Sequence, residues 1–269
     1  WMDLNYPDFT YYNGEYYLNA GMSYQDLAEK LQNPDISHKK VKVTIPEGYT
    51  VIDIASTLEK KNVCSAKDFL KACSTTEGYD YDWLADFPKN DPHVGYVLEG
   101  FLFPATYDFG ENSKATDIAD VMLEAFDQRI TDEVKTYCKQ RGYTLYQFVT
   151  LCSIVQKEAL SKSSQGNIAS TLENRLDKGM KIECDVTYYY AKALRDHGFS
   201  QSVYDAYYTY RCPGLPAGPI ANPGTEIMTA TVEHPSTDYL YFFSDLKGNF
   251  HFAATYGEFE SLKAKYPWK

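Results

Sequence analysis

The chain has 269 residues, and its 37 acidic against 26 basic side chains leave a net charge of −11. An apolar content of 44% supports a buried core in one large domain or two smaller ones and excludes wholesale disorder. The acidic balance excludes nucleic acid as the main partner, because phosphate binding needs a basic surface. A short internal repeat opens the chain: Gly21, Ser23, Asp26, Leu27, Ala28 and Leu31 recur as Gly48, Thr50, Asp53, Ile54, Ala55 and Leu58. In both copies a Ser or Thr can cap a helix N-terminus, and an Asp three residues on sits near the positive end of the helix dipole. The apolar pair four residues apart lines one face. Strand-like runs precede each copy, Tyr16-Tyr17-Leu18 and Val41-Lys42-Val43-Thr44-Ile45, so the pattern predicts a small α/β module.

A helix is predicted over 66–72, capped by Ser65, and a connector over 75–93, rich in Asp, Pro, Tyr and Gly. Leu98 to Tyr107 is a compact aromatic segment too broken by proline for a helix. Helices follow over 115–130, 132–141, 145–160, 165–178 and 187–197. A Pro/Gly loop spans 212–224. A helix over 226–233 and strands over 239–244 and 251–253, joined by Leu246-Lys247-Gly248-Asn249, complete the pattern.

One residue stands out. Glu158 closes the apolar run 145–159, seven residues after Leu151 and four after Ile154, on the flank of the apolar stripe. A carboxylate beside so much apolar surface is either held by a partner, with Lys157 and Lys162 as the near candidates, or kept partly protonated. A partly protonated carboxyl is what acid catalysis at neutral pH requires. The 25 Tyr and 14 Phe suit sugar rings as well as cores and interfaces. The six cysteines (Cys64, Cys73, Cys138, Cys152, Cys184, Cys212) show no Cys-x-x-Cys pair and no zinc-ligand spacing, so no metal is predicted. No Gly-rich phosphate loop is present, and no cofactor is expected. No apolar run approaches the about 18 residues that read as a membrane span. The abrupt start at Trp1-Met2-Asp3 is read as a chain whose N-terminal membrane segment has been removed.

The motifs together resemble the endolytic murein transglycosylase family of bacteria, also called YceG-like or MltG. The resemblance runs through Val43-Thr44-Ile45-Pro46-Glu47-Gly48, Glu99-Gly100-Phe101-Leu102-Phe103-Pro104-Ala105-Thr106-Tyr107 and Ser153 to Ala159. It continues through Asn174-Arg175-Leu176, Asp185-Val186-Thr187-Tyr188 and Thr209-Tyr210. Gly214 to Ile220, Asn222-Pro223-Gly224 and the 241–252 region complete it. Seven motifs in order make chance very small. Gln156, Glu183, Cys184 and Tyr208 depart from the family pattern.

The resemblance implies an α+β fold: a LysM-like module over 1–90 and a mixed α+β catalytic domain over 91–269. It implies cleavage of the β-1,4 bond between N-acetylmuramic acid and N-acetylglucosamine without water, the muramyl C6 hydroxyl attacking its own C1. One carboxyl then suffices, and Glu158 is the matching position. Ordinary glycosidases need two, about 5 Å apart or about 6.5–9.5 Å apart. Candidate substrate contacts are Glu99, Asn174, Asp185, Thr187, Tyr188, Tyr210, Gly218 and Asn222. Each has a structural alternative. Glu99 can anchor an ion pair with Arg175 or Arg211, Asp185 and Thr187 can cap a helix, and Asn174 can hold a turn. Tyr188 and Tyr210 can sit in the core, and the loop holding Gly218 and Asn222 can be a crossover. The implied partners are peptidoglycan strands and peptidoglycan synthases, at the outer face of the plasma membrane. The competing readings are a wall-binding module with LysM-like repeats and no catalysis, and a pyridoxal-phosphate lyase, since relatives have carried the label aminodeoxychorismate lyase. The latter needs a Schiff-base lysine, and none stands in such a setting.

Overall fold

A computed structural model describes Tyr16 and residues 21–32, 40–88, 91–159 and 161–268. Both copies of the repeat fold as their capping residues dictate. Ser23 and Asp26 exchange hydrogen bonds ahead of α1 (Tyr24–Gln32), with the Ser23 N–H donating to Asp26 Oδ2 at 2.9 Å. Thr50 and Asp53 form a full capping box on α2 (Val51–Lys60). The copies differ in depth. α1 buries only Ala28, whereas α2 buries Val51, Ile54, Ala55 and Leu58. The strand expected at 16–18 lies outside the described residues except for Tyr16; the second, β1 (Lys40–Thr44), is present.

β1 pairs antiparallel with β2 (Thr106–Gly110), Val43 opposite Tyr107. β2 lies in the segment that sequence reading left irregular, and the expected boundary at 90/91 is bridged by this sheet. Helix α3 (Ala66–Ala72) is capped by Ser65 as expected. The connector contains a 3₁₀ turn, Asp82–Asp86, whose Trp83 stacks on Phe101 at 5.4 Å between ring centroids. One continuous core runs from Val43 to Met228.

Helices α4 (Ala115–Asp127) and α5 (Asp132–Arg141) lead to the central helix, α6 (Leu145–Glu158). Gly142, in the left-handed region, closes α5, and a Thr144/Gln147 capping box opens α6. α6 is buried almost all round, as a helix with apolar residues on every face must be. It packs against α5, α7 (Lys162–Asp177), α8 (Asp185–Asp196) and α10 (Thr225–Val232). Between α8 and α10 lies α9 (Gln201–Tyr207), which sequence reading did not assign. Strands β3 (Tyr241–Ser244) and β4 (Phe250–Ala253) form a second antiparallel pair, followed by the likewise unassigned α11 (Tyr256–Lys265). Among the described residues no helix is long and apolar enough to cross a membrane.

Glu99 sits inside the fold and away from the cleft that Glu158 lines. Expected at the substrate, it is wholly buried and touches neither Arg175 nor Arg211. The Val51 N–H, at the first turn of α2, donates to its carboxyl at 2.9 and 3.1 Å. Tyr190 Oη on α8 donates at 3.0 Å and Asn222 Nδ2 at 2.9 Å. Asn222, also wholly buried, is saturated in turn: Oδ1 accepts from the Leu102 N–H, and its backbone exchanges bonds with Gly48 and Tyr49. Burial pushes the Glu99 pKa up to about 8 against the pull of these donors. Replacing Glu99 by Leu leaves the Val51 N–H and the Tyr190 hydroxyl without an acceptor and Asn222 Nδ2 with the Tyr49 carbonyl alone. The expected loss is about 3–5 kcal/mol, read as a lower urea midpoint with an unchanged slope.

Candidate functional site

α6 ends at Glu158 because Ala159 turns extended (ψ 108°), which carries the chain away and leaves the carboxyl at the mouth of a cleft. The cleft has a volume of about 540 Å³. One wall comes from the end of α6, Arg175 of α7, and Glu183, Cys184, Asp185 and Tyr210. The other is aromatic, built from β3, β4, α11 and Trp268. Glu158 is half-buried, so its carboxyl is short of water yet open to the cleft. That desolvation raises its pKa to about 7. The nearby Cys184 thiol, whose Sγ also lies 3.8 Å from the Ile182 carbonyl, and the Val186 backbone N–H pull it down, and the Asp185 charge pushes it up. The expected lysine partners are engaged elsewhere, Lys157 Nζ with the Gly48 carbonyl at 3.2 Å and Lys162 Nζ with Glu226 at 3.2 Å.

Of the other candidates, the structure brings two to Glu158. Asp185 and Tyr210 line the cleft, and Tyr210 Oη donates to Asp185 Oδ1 at 2.9 Å. Thr187 lies behind them, wholly buried, donating to the Cys184 carbonyl at 2.7 Å and paired with Thr209 Oγ1 at 2.8 Å. Thr209 Oγ1 accepts from the Cys184 N–H at 3.1 Å, so the two threonines fix the backbone that aims the thiol. The expected capping of α8 by Asp185 and Thr187 does not occur: α8 starts at Asp185, and Cys184 is the cap residue.

The remaining candidates lie outside the cleft lining and take the structural roles that the sequence left open. Tyr188 packs on Tyr208 at 5.4 Å between centroids, outside the cleft lining. Asn174 Nδ2 donates to the Thr237 and Tyr239 carbonyls at 2.7 and 3.0 Å and fastens the segment entering β3. Gly218 is buried where a Cβ would collide with the Tyr146 and Tyr207 hydroxyls, so it is a close-approach glycine. Asn222 belongs to the Glu99 cluster. A second cavity of about 490 Å³, at the opposite end of α6 beside Thr144 and Gln147, contains none of the candidates.

Sequence reasoning missed the rest of the cleft. Buried Arg175 donates to Glu183 Oε2 at 2.7 Å and to the Ile182 carbonyl at 3.1 Å, and its guanidinium lies over Tyr241. Glu183 sits in the left-handed region (φ 53°), a strained backbone next to the thiol that touches Glu158. The departures at Glu183 and Cys184 were the available signal. The aromatic wall was visible only as a high density of rings between residues 241 and 268. Among the described residues no group of three or more His, Cys, Asp or Glu is placed to hold a metal.

Comparison with known proteins fits this architecture. Residues 3–265 match the YceG-like family, and the chain belongs to that family. It is 31% identical over 265 residues to the endolytic murein transglycosylase of Bacillus subtilis (strain 168), covering 94% of this chain and 72% of that one. It is 29% identical over 274 residues to the endolytic murein transglycosylase of Streptococcus pneumoniae serotype 2 (strain D39 / NCTC 7466), spanning 93% of this chain but about half, 49%, of that protein. The crystal structure of a putative yceG-like protein from Listeria monocytogenes superposes with a TM-score of 0.70 at 30% identity, over 90% of this chain and 82% of that one.

The raised pKa has a stability consequence. The unfolded carboxyl titrates near 4.5 and the folded one near 7, so the folded state holds the proton longer, and stability falls as pH rises between these values. A Glu158→Gln protein is expected to be more stable than the parent by about 1–2 kcal/mol near pH 8, after allowing for solvent screening. The advantage vanishes below about pH 4, as urea melts at both pH values will show.

Proposed function

We propose that this chain is an endolytic lytic transglycosylase acting on peptidoglycan, with Glu158 as acid and then base. The reading is carried by one observation: a half-buried carboxyl with a pKa near 7 opening into the cleft, in a chain whose relatives bear that name. A pKa near 7 keeps both protonation states populated at neutral pH, which suits a group that must donate and then recover a proton. Glu158 protonates the glycosidic oxygen as the C1–O bond breaks. The muramyl C6 hydroxyl then attacks C1, and its proton passes to the carboxylate. The C1–O6 bond closes the 1,6-anhydro ring, and no water is consumed. Asp185, held by Tyr210, presents negative charge in the same cleft, where positive charge develops on the sugar. Peptidoglycan lies outside the plasma membrane, so the working face is extracytoplasmic, and the synthases that extend its strands are the partners that the resemblance implies.

Mass spectrometry of glycan strands after digestion tests this. The parent is expected to release internal fragments with anhydro ends, and Glu158→Gln to release them about 10³-fold more slowly. Equal release by both proteins overturns the role of Glu158, and no release by either favours the wall-binding module. Reducing ends from the parent would mean hydrolysis, with Asp185, which lines the cleft, as the second carboxyl in preference to the wholly buried Glu99.

The Cys184 contact yields a second test. As an acid in the free enzyme, Glu158 must hold its proton, so kcat/KM falls as pH rises through about 7. Serine donates a stronger hydrogen bond to a carboxylate than cysteine does. Cys184→Ser is therefore expected to stabilise the charged form and move that limb to lower pH, whereas Cys184→Ala moves it higher; pH–rate profiles of the three proteins decide.

A further inference from the structure

We propose that the aromatic wall facing Glu158 is a saccharide-stacking shelf that selects the uncharged sugar backbone and leaves the anionic peptide stems outside the cleft. This rests on the function proposed above. Five rings form one connected cluster, three of the four neighbouring pairs edge to face, so that the two exposed rings, Tyr256 and Trp268, offer the stacking faces. Tyr256 lies 5.8 Å from Tyr241, Tyr241 5.4 Å from Phe259, Phe259 5.7 Å from Phe243, and Phe243 6.5 Å from Trp268, all between centroids. The fold does not bury them. Tyr256 is 62% and Trp268 47% exposed, the other three are half-buried, and α11, which carries Tyr256 and Phe259, buries no residue. Apolar surface left in water costs about 25 cal/mol per Å². A contiguous aromatic patch at the mouth of a cavity is the signature of a ligand surface. Flat rings match the C–H faces of a pyranose, while the Asp185 carboxylate and the Tyr210 and Ser244 hydroxyls on the rim reach its hydroxyl and amide groups.

Charge decides which part of peptidoglycan fits. The described lining carries three carboxyls, Glu158, Glu183 and Asp185, against two cations. Both cations are engaged: Lys157 with the Gly48 carbonyl, and Arg175 with Glu183 and the Ile182 carbonyl. Lys263, under the shelf, lies over Trp268 at 4.0 Å and pairs with Glu260 at 3.3 Å. A stem carboxylate entering this cleft meets three carboxyls, while Arg175 is already ion-paired with Glu183 and Lys157 is turned to the Gly48 carbonyl. A neutral β-1,4-linked N-acetylhexosamine chain meets rings on one side and acceptors on the other.

The test is calorimetric, on the full chain carrying Glu158→Gln so that nothing is cut. The probes are a neutral β-1,4-linked N-acetylglucosamine hexamer and a free stem pentapeptide. The hexamer is expected to bind, and Tyr256→Ala and Trp268→Ala each to weaken it about tenfold. Tyr256→Phe and Trp268→Phe, which keep a ring, are expected to stay within about threefold of the Glu158→Gln parent. The pentapeptide is not expected to displace the hexamer. Both positions are exposed, so unfolding does not confound the result, and an unchanged Tm confirms it. Absence of hexamer binding, an affinity indifferent to both alanine variants, or displacement by the pentapeptide overturns the proposal. Failure of the catalytic reading shows separately, as undiminished cleavage by Glu158→Gln, and leaves these binding outcomes interpretable.

Discussion

A carboxyl removed from water must take its hydrogen bonds from the protein, and Glu99 takes its own from three places remote in sequence. The first turn of α2, Tyr190 in the middle of α8, and Asn222 in the Pro/Gly loop all donate to it. Unpaired, each group would cost about 1–3 kcal/mol in this interior. Through Glu99 these bonds tie the N-terminal β1–α2 unit to α8 and to the Pro/Gly loop.

The site inherits its geometry from this clamp. Tyr190 holds α8, and Asp185 and Cys184 stand at the start of that helix. On the opposite side, Ser153 Oγ accepts from the Ile220 N–H at 3.0 Å and Gln156 Oε1 from the Gly224 N–H at 3.0 Å. These two bonds lock the Pro/Gly loop to α6. The end of α6 and the start of α8 are thus both fixed against one loop, and Glu158 meets the Cys184 thiol where the two helix ends converge. The strained Glu183, secured by Arg175, completes that convergence. Gln156, which departs from the family pattern, uses its amide to hold this loop.

What the sequence disclosed follows from how local each signal is. Capping at Ser23, Thr50 and Ser65 depends on residues three apart, and all three caps are present. The flank position of Glu158 needed only the period of its own helix. The acceptor role of Glu99 needed partners 48, 91 and 123 positions away, which no window contains. Strand β2 was masked by Pro104 just ahead of it and by the distance to its partner β1. α11 has no buried residue and so no amphipathic stripe to betray it. The partner of β1 was equally out of reach, since the strand that completes its sheet comes after residue 105.

Glu99 and Glu158 also show why a displaced pKa does not identify a catalyst. Desolvation is the first cause in both, and it lifts Glu99 further, to about 8 against about 7. Ranked by titration alone, Glu99 would be the better general acid. Its lone pairs, however, are already taken by backbone, amide and phenol donors, and no path leads from it to solvent. Glu158 has only the Cys184 thiol and the Val186 backbone N–H beside it, with open cleft beyond. A proton can leave and return only there, so access and unspent hydrogen-bonding capacity separate the acid that can work from the one that holds the fold.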